Sequence, residues 1–486
     1  MSSRPWVVVD APDSRGLRAV TVDGRPAGSV RSLRALRRVL EHSGLPDVDL
    51  EDPASVHWRG GGSTAWPDRA RRRRVTVALM MAGLLASAAL NAVIGWPDAS
   101  GALTFPQRMA GALFVLSGVV QCAAAVLVLD HWGRRELAFS GAIVLLGALI
   151  ALATDSLLLV MWLEEREDTP YLRAFLPLWC WSLWALYVLI REKSWRGVGQ
   201  PRKFAAGVFA SALLTAVSLA YSTMYQPAVA PVRFALKAEF GTARDDPGRP
   251  FVHVPLRLSV KNTGQVSVSI VISDVTVYGR TATYSGRGSP LLDNWKESLG
   301  KDPDEEEAER HVDRVRYATL SSVRFYEPGD VLESGQEDTR QRVFQLPRDT
   351  RYDLLRVDLQ ITYVRKDRGR VDREFGRQHK SWDKQERYYC HPAQCGEKLI
   401  WFGRVRHDNN LVNVTRKPRF MTALWWPTAT PEYFISTSYD FKAGEAAVDP
   451  VEVKKETRRY GISTVATFSE LSVAELLRPS PSPRPS

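Results

Sequence analysis

The stretch that decides the architecture is RRRRVTVALMMAGLLASAALNAVIGWP, residues 71–97. Between Val75 and Gly95 it carries no charge, and its length suffices for a helix to cross a hydrocarbon core of roughly 30 Å. Arginines end it on one side and Trp96-Pro97 on the other, as expected where the chain re-enters water. Comparable runs follow, so the sequence predicts a multi-pass α-helical membrane bundle of about five helices, at about 75–95, 109–129, 137–163, 171–190 and 204–224. The lipid bilayer is thus the first partner. A mean hydropathy of -0.20 over 486 residues conceals this, because it averages an apolar block with two polar flanks.

Orientation follows from the basic residues, which are retained in the cytoplasm during insertion. One side carries Arg71 to Arg74, Arg134, Arg135, Arg191, Lys193, Arg196, Arg202 and Lys203; the other has only Arg108, Arg166 and Arg173. The N-terminus is therefore expected in the cytoplasm and everything after residue 225 outside the cell. The net charge of +11 does not argue for nucleic acid, since the densest basic run abuts the first span and no aromatic-interleaved basic motif accompanies it. High Arg and Ala content fits a GC-rich, bacterial genome.

Outward from the bundle, the predicted divisions are a small cytoplasmic α+β module (1–62), a basic linker (63–74), the bundle (75–225), a large extracytoplasmic, mainly-β, sandwich-like domain (226–478) and a disordered Pro/Ser tail (479–486). The module pairs strands about the Asp23-Gly24 turn and adds a helix after Ser32 whose apolar positions are Leu33, Leu36, Val39 and Leu40. With no apolar core before the arginine run, residues 1–74 are expected to remain in the mature chain rather than act as a signal peptide. Gly60-Gly61-Gly62 reads as a flexible linker.

In the outer domain, period-two alternation at Val232–Ala238, Val252–Val260, Val266–Ile270 and Leu355–Val364 predicts paired strands, with Val275-x-Val277 resuming the pattern. Weaker strands are read at 399–405 and 434–441, and a short rim helix from Asp302 through Val315.

Few residues suggest chemistry. Cys390 and Cys395 are expected to form a disulfide outside the cell; zinc held by Cys390, His391 and Cys395 with His379 or His407 is the rival, against which the spacing argues. Asp155 is the one acidic residue inside an apolar span, which makes it a functional candidate. The plainer reading places it near the outer interface, paired with a residue such as Arg173. Gly83, Ser87 and Asn91, and likewise Gly207, Ser211 and Thr215, repeat every four residues and predict close helix packing. His407-Asp408-Asn409-Asn410 reads as an exposed polar turn rather than an acid–base pair, and Trp382, Tyr388, Tyr389, Trp401, Trp425 and Trp426 mostly as core.

No nucleophile elbow, histidine pair or phosphate loop is present, so no catalytic residue, metal or cofactor is expected. The resulting expectation is a membrane-anchored binding, sensing or scaffold protein whose outer domain recognises an envelope component or protein partner. A subunit of a transport or envelope-assembly machine is the alternative, and an extracytoplasmic hydrolase without a recognisable motif the third.

Overall fold

The computed structural model describes residues 6–13, 17–63, 70–132, 137, 139–192, 231–245, 248–284, 292, 296, 312–427, 430–437 and 449–477. The predicted fifth span with Gly207, Ser211 and Thr215, the acidic stretch 302–309 and the tail 479–486 lie outside these residues. Two compact units result: Met1–Ala228 together with Asn409–Lys417, and Val229–Asp408 together with Pro418–Ser486.

The first unit opens with a four-stranded sheet of order β3-β2-β1-β4, from β1 (Val7–Val9), β2 (Arg18–Val22), β3 (Arg25–Val30) and β4 (Val56–Trp58). Helix α1 (Leu33–His42) covers it with Leu36 and Leu40, and Ser32 caps it by accepting from the Ala35 amide at 3.2 Å. β4 pairs in parallel with β1, a partnership the sequence reading missed because only Val56 and Trp58 are deeply buried in it. The glycine segment is not a free linker: Gly60 and Gly61 are buried, and the fully buried Arg18 donates to the Gly61 carbonyl at 2.9 Å.

Four helices follow that are long and apolar enough to cross a membrane: α2 (Ala70–Gly101), α3 (Phe105–Trp132), α4 (Ser140–Glu165) and α5 (Leu172–Arg191). α2 begins inside the predicted basic linker. Their outward faces expose Val93, Leu116, Val126 and Val160 by more than half, a surface suited to lipid. α2 and α3 approach closely because glycines meet backbone: a Cβ on Gly95 would lie 2.6 Å from the Gly111 carbonyl oxygen, and one on Gly118 2.9 Å from that of Ala88.

The second unit is β-rich, in open antiparallel sheets. β5 (Phe234–Phe240), β6 (Arg244–Asp245), β7 (Phe251–Asn262) and β11 (Glu337–Pro347) form one; β8 (Val268–Tyr284), β9 (Val312–Val323), β10 (Val331–Leu332), β12 (Leu354–Arg365) and β18 (Ile462–Ser472) form the second. One apolar core unites their facing sides, with Val254, Leu256 and Leu258 from β7 against Leu355, Val357 and Leu359 from β12. The third sheet contains β13 (Gly369–Val371), β14 (Gln378–Lys380), β15 (Leu399–His407), β16 (Arg419–Trp425) and β17 (Glu432–Ser436).

β8 explains an oddity of the sequence pattern. Its inward positions are even at Val268 and Ile270 but odd at Val275 and Val277, and the register against β12 slips between them at Val271. A bulge absorbs one residue and flips the alternation, so two apparent strands are one. The rim helix is corrected as well: from Val312 the chain is β9, paired with Tyr284 of β8, because an available strand edge outweighs a weak helical pattern.

Candidate functional site

In the helical unit, the four-residue repeat on α2 is read by two neighbours. Gly83 lies against the Trp181 ring, which leaves no room for a Cβ, and Trp181 Nε1 donates to the Leu79 carbonyl at 3.1 Å. Ser87 and Asn91 instead bond across to α3: Asn91 Nδ2 donates to Gln121 Oε1 and Gln121 Nε2 donates to Ser87 Oγ, each at 3.0 Å. Asp155 corrects the expectation of an interfacial ion pair. It is 0% exposed and among the described residues neither of its carboxylate oxygens has a hydrogen-bond partner, while Arg173 is exposed.

At the far end of α2, a segment distant in sequence joins the same unit. Asn409 caps the short helix α7 (Asn410–Val414; α6 is Pro392–Cys395) by accepting from the Leu411 amide at 3.0 Å. The Asn410 amide donates to both carboxylate oxygens of Asp98, at 3.0 and 3.1 Å, and its side chain donates to the Ile94 carbonyl at 2.9 Å. Thr169 Oγ1 donates to the Val414 carbonyl at 3.1 Å, and the Lys417 amide to Glu167 Oε2 at 2.9 Å. Leu411 and Val414 are buried with Leu90, Ile94, Phe114, Leu158 and Phe175. Asn409 is thus 1% exposed, and Asp408, paired with Arg370 at 2.6 Å in the β-rich unit, is 6% exposed, so neither belongs to an exposed polar turn. The sequence signal was an Asn before apolar residues three apart, a cap-and-face pattern too short to separate from chance.

In the β-rich unit, Cys390 and Cys395 are bonded, with Cα atoms 6.2 Å apart, and close a loop around α6. The histidines offered as zinc ligands have other partners: His391 Nδ1 accepts from the Ala393 amide at 3.3 Å, and His379 Nδ1 lies 2.8 Å from Glu386 Oε2. Among the described residues no group of three or more His, Cys, Asp and Glu is arranged to hold a metal ion. Of the aromatics, Trp401 is fully buried, Tyr388 and Trp426 pack around Cys390, and Trp382 is exposed.

Asp274 is a buried carboxyl of this unit. Burial pushes its pKa up, opposed by bonds donated from Thr276 Oγ1 at 2.5 Å, Trp425 Nε1 at 2.7 Å and Ser322 Oγ at 3.4 Å. The folded chain holds this proton more tightly than the unfolded one, so the contribution to stability is full below about pH 3.9 and falls as pH rises through the raised value. Asp274→Asn is expected to raise the unfolding temperature at neutral pH, with the gain disappearing on acidification to about pH 4. Thermal scans across pH check this; a gain that is constant with pH would contradict it.

No family model matches the chain, and no curated protein matches it. A solved structure, the sporulation control protein Spo0M from Bacillus subtilis, is similar at 14% identity over 50% of this chain and 91% of that one, with a TM-score of 0.16. A likeness of that size carries no argument about fold or role. The reading of function therefore rests on the geometry above.

Proposed function

We propose that the chain is a membrane-anchored sensing or scaffold protein, whose β-rich region recognises an envelope component or protein partner outside the cell and communicates with the helices through residues 409–417. The observation that carries this reading is the docking of that segment: five polar contacts and two buried apolar side chains join it to the ends of α2 and α4 and the loop that follows α4. A mere anchor requires no such joint.

The same segment supports the orientation. Glu192 ends the described helices beside Trp132 and His131, at the end of the bundle where α2 starts, whereas residues 409–417 lie at the end where α2 finishes. Between residues 193 and 408 the chain must change ends, and 204–224, outside the described residues, is apolar and long enough for that crossing. Cysteines placed at exposed Ser29 and exposed Ala466 distinguish the alternatives. On intact cells an impermeant thiol reagent is expected to reach the Ala466→Cys chain and not Ser29→Cys, over the background of the parent; labelling of Ser29→Cys alone would reverse the topology.

A transport or assembly role is the second reading, favoured by the enclosed Asp155. Purification of the tagged full chain from native membranes separates the two. Under the sensing reading a companion persists with Asp155→Asn and is lost when residues 231–477 are deleted; the reverse pattern favours transport.

A further inference from the structure

The bundle interior is layered. One apolar cluster contains Leu84, Ala124, Ala148 and Ala185; another, further along, contains Leu90, Ile94, Phe114, Leu158 and Phe175. Between them every one of the four helices places a polar side chain at 0% exposure: Ser87 and Asn91 from α2, Gln121 from α3, Asp155 from α4 and Ser182 from α5. Depths can be compared from the contact at Gly147, where an added Cβ would meet Leu84 at 3.2 Å. α2 and α4 run the same way. Seven residues beyond Leu84 is Asn91 and eight beyond Gly147 is Asp155, rises of about 10.5 and 12 Å. Asn91 and Asp155 therefore sit at one level, and one turn later Ile94 and Leu158 share a cluster.

The side-chain bonds of this layer leave three buried acceptor oxygens over. Asn91 Nδ2, Gln121 Nε2 and the Ser182 hydroxyl all donate, the last to the Trp179 carbonyl at 2.7 Å. Left over are Asn91 Oδ1 and both oxygens of Asp155, all buried and without partners among the described residues. Three acceptors facing no donor is a costly arrangement, and an ionised carboxylate in such a place costs most. A neutral carboxyl carries one O–H. That hydrogen is the donor Asn91 Oδ1 lacks.

We propose that this layer is a proton-binding site: Asp155 holds a proton at neutral pH and donates it to Asn91 Oδ1, while Gln121 and Ser87 hold the Asn91 amide in the accepting orientation. Asp155 is the layer's one titratable group among the described residues; the other fully buried polar side chains of the layer are Ser87, Asn91, Gln121 and Ser182. Charged side chains on the four helices start with Asp98, Asp130, Glu164 and Arg173, roughly 10–14 Å further along their axes. Cys122 and Cys180 lie on exposed faces. A proton bound here senses no nearby charge, so its release requires water or a counter-ion to enter the layer, which only a movement of the helices provides.

The test is infrared spectroscopy of the full chain in lipid nanodiscs at pH 7. A protonated-carboxyl C=O band is expected that Asp155→Asn abolishes, Asp155→Glu displaces, and Asn91→Val retains at higher frequency because the hydrogen bond is gone. Monodisperse elution and unchanged helical circular dichroism qualify each variant, and Asn91→Val alone keeps the test open if an Asp155 variant does not fold. Absence of any carboxyl band sensitive to Asp155, or a band unmoved by Asn91→Val, would overturn the proposal. The first outcome would mean that the amides are turned round and the carboxylate is ionised. Neither bears on the docking of residues 409–417, so the sensing reading stands or falls separately.

Discussion

Replacing Glu456 by alanine is expected to destabilise the β-rich unit by roughly 3–5 kcal/mol, the usual cost of removing one member of a buried ion pair. Glu456 lies on α8 (Pro450–Tyr460), is 0% exposed, and faces Arg419, itself 3% exposed. Arg419 Nε is 3.4 Å from Glu456 Oε2, Arg459 Nη1 is 2.8 Å from Oε1, and Glu452 Oε1 is 3.8 Å from Arg419 Nη2. Without Glu456, Arg419 keeps its charge and its burial but retains only the long contact to Glu452 among these carboxylates. The effect comes from the burial that Arg419 keeps once its nearest carboxylate in this group is gone. A paired Glu456→Met, Arg419→Met exchange should therefore recover most of the loss, since isosteric apolar replacements of buried pairs are often neutral. Urea unfolding of the full chain, followed by tryptophan fluorescence, measures both. A loss from Glu456→Ala under about 1 kcal/mol would place the pair in the class of solvent-screened bridges instead.

Leu411→Asp is expected to detach residues 409–417 from the helix ends altogether. Removing a buried leucine side chain costs roughly 2–5 kcal/mol, and an unpaired carboxylate among Leu90, Ile94 and Phe114 adds a desolvation penalty to it. Asp98→Ala should act in the same direction but less, roughly 1–3 kcal/mol, because it strips the acceptor from one half-buried amide and leaves the apolar contacts. Lys417→Ala is the control. Lys417 contributes its backbone N–H and its side chain is exposed, so the change should stay within about 0.5 kcal/mol. Hydrogen exchange at the Leu411 to Thr415 amides reads the three against each other. Equal protection in Leu411→Asp and the parent would mean that the segment is held by its flanks, and the joint on which the sensing reading rests would be lost.

How much of this was legible beforehand depended on how local the cause is. α2 to α5 were readable because lipid imposes its requirement residue by residue: a run of apolar side chains long enough to satisfy its own backbone can be counted. β7 and β12 were readable for a similar reason, since each alternates cleanly about one core. α1 declared its cap at Ser32. The N-cap of α8 at Asp449 and the strand β18 escaped, because β18 buries little along its length and draws its regularity from eleven paired residues of β12. β9 likewise draws its regularity from its pairing with β8.

By itself, then, the sequence determined a helical bundle suited to a membrane, a β-rich region after it, and the bonded pair Cys390 and Cys395, which sit five residues apart. The tertiary structure decided the rest: that Asp155 is enclosed rather than paired with Arg173, that Ser87 and Asn91 serve Gln121 rather than a smooth seam, and that Asn410 finds Asp98 from 312 residues away. Periodicity records which face of an element is buried, but not against what. A hydrogen bond or an enclosed carboxyl depends on the partner's identity, and only folding brings that partner into reach.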